Sequence, residues 1–322
     1  MEKYILVLAV LIISSIIYLK LAVKYKIIDK PNERSSHTKI TVRGGGILFP
    51  IAILLFFILN DYQYPYFCLA VFVISIVSFL DDIYTLSSKI RFPFQVLAST
   101  LVLLDLGLPI DSYFLLFIFF ALGIAMVNMF NFMDGVNGIT GLFSLATLSG
   151  LYVINNIESI INQELLIYEA ISILVFGFYN FRKKAIFFAG DIGSVSIGLF
   201  LSFVGSSLAI SLDAPIILLL VLVYGADSVC TLLYRKIFTN ESVLDPHRHH
   251  MYQKIVDVYG VSHLKVSITY ALIQIGINFI VFTAYKLDVT NQIIIMSSVM
   301  LFFTFFYIVL FKMIEKKKSN AS

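Results

Sequence analysis

The sequence predicts an all-α integral membrane protein of about eleven transmembrane helices, with its polar chemistry gathered on cytoplasmic loops. Three observations carry this. Of 322 residues, 59% are hydrophobic and 13% charged, with a mean hydropathy of +0.93; soluble domains carry about 25% charged residues, so a water-exposed surface cannot be built from this supply. The apolar residues fall into long runs. The Lys and Arg residues fall between those runs on one side only.

The runs are placed near 4–23, 46–60, 66–80, 94–110, 113–129, 139–154, 164–181, 195–211, 214–233, 265–285 and 291–311. A span needs roughly 20 apolar residues, which the second and third runs fall short of, so they are tilted or packed inside the bundle. The first, with Lys3 ahead of it, resembles a signal peptide; without a small-residue cleavage site it is read as a retained span. With the N-terminus outside and strict alternation, all of the 23 Lys and Arg except Lys3 and Lys286 lie inside or at inner helix ends. This bias puts the C-terminus in the cytoplasm. The chain is read as a single polytopic domain, 1–322, with the lipid bilayer as its surroundings. Net charge is +3, which argues for no nucleic-acid partner, and the two cysteines, Cys68 and Cys230, sit in apolar runs as buried thiols. A homodimer stays open.

Four polar clusters lie on the cytoplasmic side. Asp81-Asp82 ends the third run. Adjacent carboxylates repel unless a cation joins them, so the pair is a solvated helix end, or else a Mg²⁺ or general-base site. In the segment from Asn128 to Gly138, Asn131, Asp134, Asn137 and Gly138 recur near a helix repeat and can share a face that binds a base, a ribose or a metal; a turn between spans is the plainer alternative. The third, Phe188-Ala189-Gly190-Asp191-Ile192-Gly193-Ser194, offers an oxygen ligand for Mg²⁺ and free helix-start N–H groups for phosphate. The fourth, Asp245-Pro246-His247-Arg248-His249-His250-Met251-Tyr252-Gln253, suits a pyrophosphate better than zinc, because no Cys stands near it. Two weaker features are the loop from Asp29 through His37 to Arg43-Gly44-Gly45-Gly46, and Asp227, a costly carboxylate within a span that is either functional or a structural hydrogen-bond partner.

In this order, these segments resemble the polyprenyl-phosphate N-acetylhexosamine-1-phosphate transferases, a glycosyltransferase family 4 type that includes phospho-MurNAc-pentapeptide transferase and the enzymes that start O-antigen and related glycans. The resemblance runs from Asp29 to about Gln253. It implies that a UDP-N-acetyl sugar gives its sugar-1-phosphate to undecaprenyl phosphate and releases UMP, with Mg²⁺ as cofactor and Mn²⁺ as a substitute. It implies location in a bacterial inner membrane.

The resemblance also implies roles. Asp81 and Asp82 match the family's Asp pair, which positions the lipid phosphate or helps hold the metal. Asp191 is expected to bind Mg²⁺. Asn128, Asn131, Asp134 and Asn137 match the segment near the nucleotide, and Phe188 matches an aromatic that stacks on uracil. Arg43 and His37 match the first cytoplasmic loop. His247, Arg248 and His250 match the histidine segment, with His250 in a catalytic role. Asn137 stands where many relatives have Asp, so Asn137→Asp is expected to keep activity. Tyr252-Gln253 replaces a His pair, which resembles the branch that starts surface polysaccharides with N-acetylated deoxyhexosamines such as FucNAc or QuiNAc. UDP-GlcNAc is the alternative donor, and a secondary transporter the alternative of another class, although its charges would lie near mid-membrane.

Overall fold

The computed structural model describes residues 1–29, 40–239 and 247–319. His37, Asp245 and Pro246 lie outside them. The described residues form twelve α-helices and one short hairpin. α1 (Glu2–Tyr25) leads to β1 (Ile28–Asp29) and β2 (Thr41–Val42), which pair antiparallel with Ile28 opposite Val42. A 3-10 turn, Gly45–Ile47, then starts α2 (Leu48–Leu59). α3 (Pro65–Tyr84), α4 (Ser88–Asp105), α5 (Tyr113–Met133), α6 (Ile139–Glu158), α7 (Gln163–Asn180) and α8 (Gly190–Ser211) follow. A second 3-10 stretch, Pro215–Val221, runs into α9 (Leu222–Phe238). The chain ends with α10 (Met251–Tyr259), α11 (His263–Ala284) and α12 (Val289–Ser319).

Each of the eleven expected runs is a helix, and the all-α membrane architecture holds. Seven helical stretches are long and apolar enough to cross a membrane by themselves, the 3-10 stretch with α9 counting as one; α2 is apolar but shorter. α10 has no counterpart among the runs, because its nine residues are amphipathic and too few to register as a span.

α8 is the axis of the bundle. It packs against α5, α3, α2 and α6, and 89% of its apolar stretch is buried, against 6% for α12. This close packing needs small residues. A Cβ on Gly46 would strike the Gly193 Cα, so the turn before α2 and the first turn of α8 touch backbone to backbone. The 3-10 break before α9 leaves carbonyls without helical partners inside the apolar region, where each must be satisfied by protein. Thr147 Oγ1 donates to Leu220 O (2.9 Å) and Gln274 Nε2 to Leu219 O (3.1 Å). The Gln274 Oε1 accepts from Val223 N (3.3 Å).

Candidate active site

Backbone pairing brings distant polar segments together. Val42 N donates to Ile186 O, Phe188 N to Val42 O (2.8 Å), Gly45 N to Phe188 O (2.8 Å) and Gly46 N to Ala189 O (3.0 Å). The segment between β2 and α2 is thereby zipped to the segment that opens α8. Gly190 has φ +72°, a conformation that favours glycine, and turns the chain into that helix. Asn180, buried at the end of α7, accepts from Gly138 N (2.7 Å) and donates to Phe187 O (2.7 Å), tying the α5–α6 connection to the same seam.

At this seam three carboxylates meet two guanidiniums. Asp82 caps the start of α8, accepting from Asp191 N (2.9 Å) and Ile192 N (3.1 Å), and takes Arg43 Nε at 2.6 Å. Asp191 accepts Arg43 Nη2 (2.9 Å) on one oxygen and Arg91 Nη1 (3.2 Å) on the other. The same Arg91 nitrogen reaches Asp81 (2.7 Å), whose second oxygen accepts from Leu86 N. Burial works against a charged Arg43, but Asp191 and Asp82 more than offset this and hold its pKa above the ordinary value. Both arginine side chains are about one-third exposed, whereas Asp82 is fully covered. Charge therefore reaches solvent through the arginines.

A polar cavity of about 280 Å³ opens beside this cage. Seven expected residues line it: Arg43, Asn131, Asp134, Asn137, Phe188, Asp191 and Arg248. Asn131 Nδ2 lies 3.4 Å from Ser194 Oγ, and Asp134 accepts from Thr140 Oγ1 at 2.6 Å. Burial first, then the charge of Asp191, lifts the Asp134 carboxyl to about 6, against the lowering effect of Thr140 and Arg43. Asn137 Nδ2 donates to Arg182 O (2.9 Å) and Lys183 O (3.2 Å). An Asp at 137 would lose both bonds and face two carbonyls, so Asn137→Asp, expected to keep activity, carries an expected cost in stability.

Other expected residues stand elsewhere. Asn128 pairs with Gln95 (3.0 Å) and donates to Ile124 O, away from the cavity. Asp81 and Asp82 sit behind the cavity and act on it through the arginines. His250 is buried and does not line the cavity. Its Nδ1 lies 3.3 Å from Asp227, and its ring is 4.9 Å from that of His247. Asp227 also accepts from Met251 N (2.9 Å), Tyr252 N (3.3 Å), Tyr270 Oη (2.7 Å) and Thr231 Oγ1 (3.2 Å). Of its two readings, the structural one describes these contacts, and His250 belongs to that anchor.

Residues 64–211 match the family model described as Glycosyl transferase family 4. The chain is also 27% identical over 289 residues, covering 82% of this chain and 79% of the relative, to a Bacillus subtilis (strain 168) protein named "Probable undecaprenyl-phosphate N-acetylglucosaminyl 1-phosphate transferase". Over residues 64–211 the chain is similar to glycosyl transferase family 4. The matched stretch of the family holds Asp81, Asp82, Arg91, Asn131, Asp134 and Asp191, while Arg43 and the histidine segment reach the cavity from outside it.

The sequence reading missed several residues of this site. Arg91 was counted with the positive-inside residues, and nothing local distinguishes it from Lys89. Arg91 stands behind the cavity, paired with Asp191, while Asp29, Asn180, Ser194, Gln253 and His263 line it. Of these, Asp29, Ser194 and Gln253 lay within quoted segments, and Asn180 and His263 carried no separate signal.

The donor set suits a hard cation. Asp191 and Asp134 bring carboxylate oxygens to one cavity, and Mg²⁺ is commonly held by one or two carboxylates plus substrate phosphates. Among the described residues no group of three or more His, Cys, Asp and Glu is arranged to hold a metal by itself. Asp82, with its oxygens engaged by a guanidinium and two amides, fits a capping role better than the ligand role expected of it.

Proposed function

We propose that the protein transfers an N-acetylhexosamine-1-phosphate from a UDP-sugar to undecaprenyl phosphate at the cytoplasmic face of a bacterial inner membrane, as the first step of a surface polysaccharide. The observation that carries this is the polar cavity at the inner helix ends, bordered by Asp191, Asp134 and the partly exposed Arg43, with Arg91 paired to Asp191 behind it. The family match and the name of the Bacillus subtilis relative support it. The N-terminus lies outside and the C-terminus inside.

An oxygen of the lipid phosphate attacks the β-phosphorus of the UDP-sugar. The bond from that phosphorus to the bridging oxygen breaks, UMP leaves with the bond's electron pair, and a lipid pyrophosphate sugar remains. A phosphate monoester, with a second pKa near 6, is already nucleophilic at neutral pH, so positioning and charge neutralisation are the main needs. Arg43 and Arg91 offset the repulsion between two anionic substrates. Phe188 offers a face to uracil, and Asn131 and Asn137 hold the wall around it. Asp191 and Asp134 would hold Mg²⁺, which supplies charge neutralisation on the pyrophosphate when bound.

For the sugar, we propose an N-acetylated deoxyhexosamine. Tyr252-Gln253 supports this: Gln253 borders the cavity, and Tyr252 Oη donates to Phe132 O (3.1 Å) beside Gly135. The relative's N-acetylglucosaminyl name favours UDP-GlcNAc as the second reading. Purified protein in nanodiscs with undecaprenyl phosphate, Mg²⁺ and a panel of UDP-sugars, with and without EDTA, tests both. Lipid-dependent, EDTA-sensitive UMP release from one deoxy-sugar donor is expected. Release from UDP-GlcNAc alone overturns the sugar assignment, and silence across the panel from folded protein counts against the reaction.

A further inference from the structure

Arg248 borders the polar cavity but belongs to no helix; it stands three residues ahead of α10. A long side chain on irregular backbone has many rotamers, and fixing one for a ligand costs entropy unless the protein has already fixed it. Asp257 does so. Arg248 Nε donates to Asp257 Oδ2 at 3.1 Å, and Nη2 reaches Oδ1 at 2.8 Å and Oδ2 at 3.0 Å. Two nitrogens on two oxygens set both the plane of the guanidinium and its rotation.

Asp257 can do this because α10 is itself pinned. Asp227 accepts the amides of Met251 and Tyr252 at the start of the helix. One turn on, the buried Lys254 pairs with Glu315 of α12 and lies 4.4 Å from the centre of the Phe311 ring. Asp257 follows three residues later, so it passes the fixed position of α10 back to Arg248. Asp257 is not among the residues that line the cavity, and its side chain is 42% exposed. Its orienting contact with the cavity wall is therefore the Arg248 guanidinium.

We infer that Asp257 is the positioning residue for Arg248 and holds its guanidinium against the pyrophosphate of the nucleotide sugar. The inference rests on the proposed reaction and adds the residue that aims one of its cations. Two effects of Asp257 on an anionic ligand oppose each other. As a charge, it repels the ligand, and its removal would tighten binding by about twofold, since an exposed group is screened. As the partner of the fork, it spares Arg248 the ordering cost, and its removal weakens binding. The sign of the change separates aiming from bulk charge. A pair this exposed adds little to folding, so the effect on affinity is not a by-product of stability.

The test is calorimetric titration of the full chain in nanodiscs with UDP and Mg²⁺. Asp257→Asn is expected to raise the Kd for UDP about fivefold, with a thermal midpoint within about 2 °C of wild type. Asp257→Glu, which keeps a carboxylate for the fork, is expected to stay within about twofold of wild type. Arg248→Ala also raises the Kd, and adding Asp257→Asn to it changes nothing further, because the two residues act as one unit. Tighter or unchanged binding in Asp257→Asn, a Glu variant as weak as the Asn variant, or a fivefold loss that persists in the Arg248→Ala background overturns the inference. Any of these, in a protein whose wild type binds UDP, sinks the positioning alone. Absence of UDP binding by folded wild-type protein sinks the reaction as well.

Discussion

Asp191 and Asp227 are both carboxylates at or within apolar helices, yet their surroundings differ in kind. Asp227 accepts from His250, Thr231, Tyr270 and two amides at the start of α10, all turned inward. Asp191 accepts from two arginines that are themselves partly exposed, and it lines the polar cavity. A carboxylate whose partners close around it anchors a loop. One whose partners are partly exposed cations can exchange them for a substrate phosphate or a metal. The contrast fits anchoring for Asp227 with His250, and accords with the proposed chemical role of Asp191.

The largest effect sharpens the chemical side. Asp191→Asn keeps the size of the side chain and removes its charge; it is expected to lower UMP release by roughly 10³-fold, the scale of losing a key electrostatic group, while the thermal midpoint of the purified protein changes little. Asp227→Ala should do the reverse. It leaves several buried donors without an acceptor and is expected to cost roughly 3 kcal/mol of stability, read as a lowered midpoint and faster proteolysis at the α9–α10 connection. An Asp227→Ala protein that keeps its midpoint but loses turnover would break the contrast. Asn137→Asp is expected to cost roughly 1–2 kcal/mol through the two lost bonds to Arg182 and Lys183, measured by the same melting experiment.

The smallest effect is a titration. The Asp134 carboxyl is lifted to about 6, so it is protonated below that pH and ionised above. If the ionised form holds Mg²⁺ or a donor hydroxyl, KM for the nucleotide sugar falls as pH rises through about 6 and then levels. Asp134→Asn should remove that inflection. An unchanged pH profile in the variant would place the titrating group elsewhere.

Much of this was legible in the sequence because membranes impose a coarse rule. Apolar runs of span length must become helices, and the eleven runs did. The Gly-Asp-Ile-Gly-Ser segment and Asn131 to Asn137 were legible because polar groups at the edge of apolar runs need a reason. The seam between Val42–Gly46 and Ile186–Ala189 was not, since it joins segments over 140 residues apart through backbone bonds that any side chains allow. Arg91 was hidden among cations that the orientation rule already explained. His250 was read from its motif, but the motif does not say whether an imidazole faces the cavity or Asp227.

The most direct test of the central claim follows the β-phosphorus. Wild-type protein in nanodiscs is given undecaprenyl phosphate, Mg²⁺ and the accepted UDP-sugar labelled with ³²P at the β position. Transfer of sugar-1-phosphate predicts that the label moves to the lipid phase while the nucleotide released is unlabelled UMP. Label leaving as UDP, with sugar alone on the lipid, would contradict the account.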